Sequence, residues 1–510
     1  MGIDLGSSSC KVVVIDERGR LLATGQEPCP PRFPRPGWVE QDVEAWYHAC
    51  VRAVRRCLAE GAIDPSRIGA LSICGVAHSA ALLDEHDRPV RPVIMWGDAR
   101  GAAQARWLQQ EHGDTILDIS FQAVHASWTL AQLLWVRQNE PEVWRRLRRV
   151  LMCKDYIVYR LTGAWQTDGY DAIGTQMLDV RSGQWSAVLA DMVGLPLGYL
   201  PPIRPATAVA GQVTARAAEE TGLRRGTVVA VGSGDSVVEA LGVGVMEPGQ
   251  CIVKLATSGT VSVVTAEAKP RRQVMTYCHV VPQRWFTIAA TNYGAAAASW
   301  FSKSLLGQAQ GSDADSMDAL AALAPPGSEG LIFHPYLQGE RTPYWDPYLR
   351  GDFLGITARH EKPHFARAVL EGVSFALRDC LDALRAMNLT MSSFYLLGGG
   401  ARSPLWQQIT ADILGVELSV PVGDAAARGA ALLAGVAADQ YASLEQAASL
   451  ALPAATQVRP NEDAQPIYAD LHAIYRRTKE ALTNVYHELS RLYICGAAEP
   501  TQPPPLAKDT

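Results

Sequence analysis

The sequence has little charge and no long stretch without it. Asp, Glu, Lys and Arg make up 19% of its 510 residues. A membrane-spanning helix needs about 18 or more apolar residues in a row. The most apolar window, residues 227–246, still contains Asp235 and Glu239. No membrane partner is expected. The ten cysteines form no CxxC pair and no zinc-ligand spacing. Several lie within apolar runs such as LSICGV and QCIVKLA, where a thiol behaves as a small hydrophobe. This usage suits a reducing, cytoplasmic compartment. The start, MGIDLG, lacks the basic and apolar regions of a signal peptide, and opens so abruptly inside a strand that a few residues are expected to precede it. The net charge of −6 gives no electrostatic reason to expect nucleic acid as a partner. Neither GxGxxG nor GxxxxGK[ST] occurs, which removes support for a Rossmann or P-loop nucleotide site.

What is present is enough chain for two cores: 48% hydrophobic residues over a length that one domain seldom reaches. Of the thirteen tryptophans, most are expected in core and some along a ligand cleft. Residues 228–244 read VVAVGSGDSVVEALGVG, a strand-like run broken at Gly232-Ser233-Gly234 that presents Asp235 and resumes as a small-residue helix. A carboxylate at the lip of a buried strand is costly unless something pairs with it or uses it. Asp is also a good helix N-cap, so capping is the simplest competing reading.

Organisation along the chain sets the context. The N-terminus reads as strand, Gly/Ser turn, strand KVVVID, turn and strand. Asp42 is expected to cap an amphipathic helix to about residue 60, with Val43, Trp46, Cys50, Val54 and Cys57 inward. Helices are expected at 99–113 and 129–146, and α/β alternation continues to about 231. A second β-meander with a Gly/Ser/Thr turn follows at 250–291. After it come helices at 292–306, 314–324 and 363–387, strand FYLLGGG, helix 404–415, strand ELSVP and helix 426–437. Two similar α/β halves, divided as 1–240 and 241–490, are expected to face each other across a cleft. Residues 491–510 read as a disordered tail.

Four glycine-punctuated turns follow apolar strands: DLGSSS, GSGDS, TSGT and GGGARSP. Small residues there let backbone N–H groups cradle phosphate oxygens. Two of the turns adjoin a strand-end carboxylate, Asp4 or Asp235. Phosphoryl transfer is mostly positioning and charge stabilisation, plus one base for the hydroxyl proton. Asp4 suits a hard cation held through water, with a turn-capping Asx as the alternative. Asp235 then faces the phosphoryl acceptor. His360 and His364 are not read as a metal pair, because Pro363 argues against a helix joining them. The runs VWRRLRR and RRVLMCKD read as a solvated helix face.

The ordered blocks GIDLGSSSCKVVVID, PGWVEQD, SICGVAHSAALLD, PVIMWGDAR, KDYIVYRLTG, DAIGTQMLDV, GSGDSVVEALGVG, LATSGTV, PYLQGERTPYWDP, RAVLEGVSFAL, LLGGGARSPLWQQITADIL and AAARGAALLAG cover nearly the whole chain. In them the sequence resembles the FGGY carbohydrate kinases, most closely the xylulokinases. The resemblance implies an α/β fold of two ribonuclease-H-like domains, of the sugar kinase/actin/heat-shock chaperone superfamily, hinged around an ATP·Mg²⁺ and sugar cleft. It implies Asp235 as catalytic base and Asp4 near the Mg²⁺ through water. It further implies Gly6, Ser7 and Ser8, with Thr257, Ser258, Gly259 and Thr260, as phosphate turns. Gly399, Gly400, Ala401 and Pro404 are implied under the adenosine, and GERTP (339–343) in closing the cleft. His78, Ala77, Trp96, Asp98 and Asp235 are carried over to the sugar. The pocket departs from the xylulokinase pattern: Val76-Ala77-His78-Ser79 replaces Q-M-H-G, Gly97 and Ser236 replace asparagines, and Gln132 replaces a lysine. ATP-dependent phosphorylation of a primary hydroxyl, with D-xylulose as first acceptor, is therefore expected. The alternatives are the same chemistry on another ketose or polyol, and a catalytically silent regulator on the same fold. A homodimer is one assembly the sequence leaves open.

Overall fold

A computed structural model describes residues 1–307 and 314–494. Its first half is built on β1 (Gly2–Leu5), β2 (Ser9–Ile15) and β3 (Leu21–Pro28), an antiparallel meander. Asp42 then caps α1 (Val43–Glu60) by accepting from the Glu44 N–H, and Val43, Trp46, Cys50, Val54 and Cys57 are all buried, as their spacing predicts. β4 (Ala70–Gly75) runs parallel to β1. After α2 (Cys153–Thr162) and α3 (Gly169–Gly174) come β5 (Val209–Gln212), β6 (Val228–Ala230), the two-residue β7 (Ser233–Gly234) and α4 (Asp235–Gly242). The sheet order is β5-β6-β4-β1-β2-β3, with β7 also pairing β4.

The second half repeats this plan. β8 (Gln250–Leu255), β9 (Gly259–Thr265), β10 (Met275–Cys278) and β11 (Trp285–Thr291) are joined, beyond the long α5 (Lys362–Arg385), by β12 (Ser393–Leu397), α6 (Pro404–Leu414), β13 (Leu418–Pro421), α7 (Ala425–Ala437), β14 (Ala454–Val458) and α8 (Gln465–Ile494). Their sheet order is β10-β11-β9-β8-β12-β13-β14. Each sheet therefore has three meander strands, two parallel strands and an antiparallel edge strand, and the second adds β10 outside its meander. β10 is an element that the sequence reading missed.

α7 belongs to the second half by sequence but packs on β1, β4 and α4 of the first. Its alanine-rich face makes this close approach possible. A shared core results, in which Cys74, Val237 and Leu241 meet Ile252, Val264 and Leu397 and also Ala430 and Leu433. Burial of each large aliphatic side chain in this shared core contributes about 1.5–3 kcal/mol before opposing entropy.

Several local expectations need correction. The helix expected at 99–113 runs from Ala102 to Ser120, and 129–146 is broken into Thr129–Asn139 and Pro141–Arg146. Pro141 cannot donate to the preceding turn, so it starts a new helix instead. Pro363 acts likewise in the first turn of α5, where His364 reaches back to the Glu361 N–H and His360 stays outside the helix. Residues 491–494, expected in the tail, belong instead to α8, which continues to Ile494; the rest of the expected tail lies outside the described residues. Lys154 and Asp155, placed on a solvated face by the charge run, are fully buried at the start of α2.

Candidate active site

The turn before Asp235 is shaped by Gly232, whose φ is 76°. A Cβ there would sit 2.0 Å from the Ile73 carbonyl oxygen, so only glycine lets the chain step off β6 at this point. It re-pairs as β7, with Ser233 opposite Cys74 and Gly234 opposite Gly75. On the other side of β4, Asp4 is also opposite Cys74. Asp4 and Ser233 therefore flank one strand, two strand spacings or about 10 Å apart.

Asp235 is the first residue of α4, and the N-cap is Gly234. The carboxylate caps nothing; it accepts a hydrogen bond only from the Ser236 hydroxyl among the bonds described, at 3.2 Å. The capping reading thus fails, and Asp235 is left half-buried at the open end of the strand. Asp4 is buried at the end of β1, with the Cys74 thiol 3.6 Å away. Burial, then the neighbouring charges of Asp424 and Asp235, push its carboxyl up to about 7. Two ion pairs cross between the halves beside it: Lys254 to Glu239 at 2.6 Å and Lys11 to Asp424 at 2.9 Å. Burial opposes the charge of Lys254, yet Glu239, Asp235 and Asp4 hold its proton affinity above the usual value. A floor of four carboxylates with two flanking ammonium groups results. It suits a divalent cation and phosphate together, since one neutralises the carboxylates and the other meets the lysines. Among the described residues, no group of three or more His, Cys, Asp or Glu side chains is placed to ligate a metal directly.

The glycine-rich turns lie around this floor. Gly6, Ser7 and Ser8 link β1 to β2, and Trp96 donates from Nε1 to the Ser7 hydroxyl at 3.0 Å. Thr257 and Ser258 link β8 to β9, whereas Gly259 and Thr260 already belong to the β9 ladder. The Gly398–Ala401 turn follows β12, with Gly399 exposed and Gly398 against the Leu255 carbonyl, so the second and third turns adjoin. Pro404 then opens α6, capped by Ser403.

On the side expected to take sugar, His78 is half-buried in the left-handed region, at φ 63°. Its Nδ1 lies 2.9 Å from the Gly174 carbonyl, which can only accept, so Nδ1 carries the proton. Nε2 then accepts from the Tyr277 hydroxyl at 2.9 Å. Burial first, and the Arg341 charge after it, lower its pKa to about 3 and keep the ring neutral. Trp128 packs edge-on at 4.0 Å. His78 therefore offers a ring wall rather than a free nitrogen. Ala77 lies beside it, buried. Asp98 requires correction. Its side chain is wholly buried and accepts from Arg100 at 2.8 and 2.7 Å and from the Val39 N–H, so it holds its loop and presents no oxygen to a sugar. Gln132 likewise spends its amide on the Met95 and Ser127 carbonyls.

Tyr277, Tyr170 and Gln122 at this wall were not singled out from sequence, whereas the GERTP segment beside them was. Tyr277 comes from β10 of the second half and stacks on Tyr170 at 4.3 Å. Gln122 donates to the Thr276 carbonyl of the same strand, clasping β10 from the first half. Arg341 of GERTP donates to the Thr291 carbonyl at 3.0 Å, and the buried Glu340 accepts from the Thr291 hydroxyl and the Asn292 N–H. A tyrosine on a short edge strand has no periodic signal of its own, which is why sequence reasoning passed over Tyr277.

Two lobes of one topology, offering glycine-rich turns to a shared floor of carboxylates, have the architecture of an actin-like phosphotransferase. Family models agree: the N-terminal domain model of the FGGY family of carbohydrate kinases matches residues 1–242, and its C-terminal domain model matches 252–438. A xylulose kinase of Escherichia coli (strain K12) is 35% identical over 493 residues, covering 96% of this chain and 99% of that protein. Among solved structures, a xyloylose kinase from Brucella ovis superposes with a TM-score of 0.86 at 33% identity, over 95% of this chain and 99% of its own. A gluconate kinase from Lactobacillus acidophilus reaches 0.87 at 26% identity, over 96% and 99%. The chain belongs to the FGGY family of carbohydrate kinases. It has the two-domain sugar kinase/actin/heat-shock chaperone fold, and family membership implies ATP as phosphoryl donor. No helix of the described residues is long and apolar enough to cross a membrane.

Proposed function

We propose that this kinase, in the cytoplasm, phosphorylates the terminal CH₂OH of a linear ketose, with D-xylulose as first acceptor and D-xylulose 5-phosphate as product. The observation that carries the mechanism is Asp235, half-buried at the first turn of α4, whose carboxylate does not cap the helix. Asp235 takes the proton from the acceptor hydroxyl as its oxygen bonds to phosphorus and the bond to ADP breaks. When bound, ATP would supply the phosphoryl group and Mg²⁺ would neutralise phosphate charge, with Asp4 as the residue that would hold the cation through water. The turns at Gly6–Ser8 and Thr257–Thr260 face phosphate, with Ser7, Ser8, Thr257 and Ser258 as the turn residues proper. The Gly6 N–H is spent on the Ser9 carbonyl, and Gly259 and Thr260 are held in the β9 ladder. Gly399, Gly400, Ala401 and Pro404 lie under the adenosine. The two lobes, divided near residue 241, close over both substrates. His78 and Trp128 form the sugar wall, with Trp96 linking that wall to Ser7.

The second reading is a different acceptor, another ketose or a polyol. It is favoured by Val76, Ala77 and Gly97 in the pocket, and by the commitment of Asp98 to Arg100. Similarity to a gluconate kinase supports the breadth of the family. A coupled ADP-release assay over ketoses, sugar acids and polyols separates the two. D-xylulose turnover above every other acceptor supports the first reading; a faster alternative supports the second.

A further inference from the structure

Behind Asp235 lies a group of charges that the proposed reaction does not use. Lys154 is fully buried, and its Nζ contacts Asp155 closely, Asp168 at 3.1 Å and Asp171 at 3.3 Å. All three carboxylates are buried as well. A buried ion group is weak evidence for stability, because desolvation offsets the Coulomb gain. Its geometry is nevertheless well defined, and so is what it is tied to. The other oxygen of Asp168, Oδ2, accepts from the Ser233 hydroxyl at 2.6 Å and from the Tyr170 N–H at 3.1 Å.

Ser233 and Gly234 are the two residues of β7 that carry the chain into Asp235. A two-residue strand flanked by glycine has few ladder bonds and much backbone freedom, so it needs an outside restraint to hold one position. Tyr170 supplies a second contact: a Cβ at Gly234 would lie 2.1 Å from its ring. Residues 168–170 thus grip both residues before Asp235, and Lys154 anchors Asp168 from behind.

We propose that Lys154, Asp168 and Ser233 are positioning residues for phosphoryl transfer. Lys154 fixes Asp168, Asp168 fixes Ser233, and Ser233 fixes the backbone from which Asp235 projects. The inference rests on Asp235 being the base. A general base works only within hydrogen-bond reach of its proton, about 2.6–3.2 Å. A displacement of about 1 Å costs on the order of 100-fold in rate. The restraint therefore acts on turnover and leaves ground-state binding alone.

A four-variant cycle on the full chain tests this, with ATP and D-xylulose as probes. Ser233→Ala removes one hydroxyl. It is expected to melt within a few degrees of wild type, to lose about tenfold or more in kcat, and to keep both KM values within about twofold. In an Asp235→Asn background, Ser233→Ala is expected to cause no further fall, since the residue it positions has lost its function. Equal losses in the two backgrounds mean a role independent of Asp235 and overturn the proposal. So does wild-type kcat in Ser233→Ala. Asp168→Asn runs the same cycle from the other end of the hydrogen bond, so a folding defect in one variant leaves the other to decide. Failure of the underlying reading is separately visible: Asp235→Asn alone then turns over near the wild-type rate, which overturns the base assignment and this proposal with it.

Discussion

The hydroxyl of Tyr277, on the edge strand of the second lobe, donates to Nε2 of His78 on the first at 2.9 Å. This bond joins the lobes at the sugar wall and fixes the neutral tautomer of His78, whose Nδ1 proton goes to Gly174. Tyr277→Phe removes the donor and leaves a buried acceptor unpaired, at a cost of about 1–3 kcal/mol. The KM for the sugar is expected to rise several-fold with a smaller change in the KM for ATP. Steady-state kinetics with each substrate varied checks it, and equal changes in the two constants refute a role at the sugar wall.

Asp235→Asn keeps size and removes basicity. Because Gly234 is the N-cap and the Asp235 carboxylate caps nothing, the melting temperature is expected to stay within a few degrees of wild type. Turnover is expected to fall by about 10²–10⁴, the usual worth of a positioned general base. Parallel loss of stability and activity in thermal melts and kinetics counts against the assignment.

Asp4 predicts a pH dependence. Its carboxyl is raised to about 7 by burial and by Asp424 and Asp235, against an unfolded value of 3.8. The folded protein therefore holds this proton through the window between those values. The corresponding stability is full below 3.8 and lost as pH rises through 7. Glu340, raised to about 7 mainly by burial, acts in the same direction. Free protein is expected to melt lower at pH 8 than at pH 6. Asp4→Asn removes a buried charge and is expected to stabilise the free protein at pH 8 by about 1–3 kcal/mol, to flatten part of the pH dependence and to abolish turnover. Calorimetry at both pH values decides. An Asp4→Asn protein that melts below wild type at pH 8 contradicts the strain assigned to this carboxylate.

Much of the fold was legible because it rests on local periodicity and turn chemistry. Asp42, with Val43, Trp46 and Cys50 at helical spacing, defined α1, and the two Gly/Ser/Thr meanders located both sheets. What failed was long-range. Lys154 looks solvated in an arginine-rich run, yet three carboxylates distributed over 17 residues converge on it. Asp98 looked free for a sugar until Arg100, two residues on, closed on it. Tyr277 gains its role only by crossing from the other lobe. Charged groups declare their residue type in sequence but not their partners.

The departures at the sugar wall lead to the last prediction. Ala77 is buried beside His78, whereas a Cβ added at Gly97 meets nothing within 4 Å, so there is open space for an asparagine at Gly97, and methionine at Ala77 replaces a small side chain next to His78. With Asp98 committed to Arg100 and both nitrogens of His78 engaged, few side-chain groups remain to read hydroxyls. Each missing hydrogen bond to a neutral hydroxyl weakens binding by about 0.5–1.5 kcal/mol, so two or three together raise KM by about fivefold or more. On the second reading, that of a different acceptor, D-xylulose is therefore expected to bind weakly, with another ketose or polyol used comparably or better. The double variant Ala77→Met, Gly97→Asn is expected to lower the KM for D-xylulose several-fold, with kcat changed less, because Asp235 and its turn are untouched. Kinetics of both proteins over the same acceptor panel provide the check. High wild-type efficiency on D-xylulose and none on the other acceptors refutes the prediction, and assigns hydroxyl recognition to backbone groups around His78 or to the second lobe on closure.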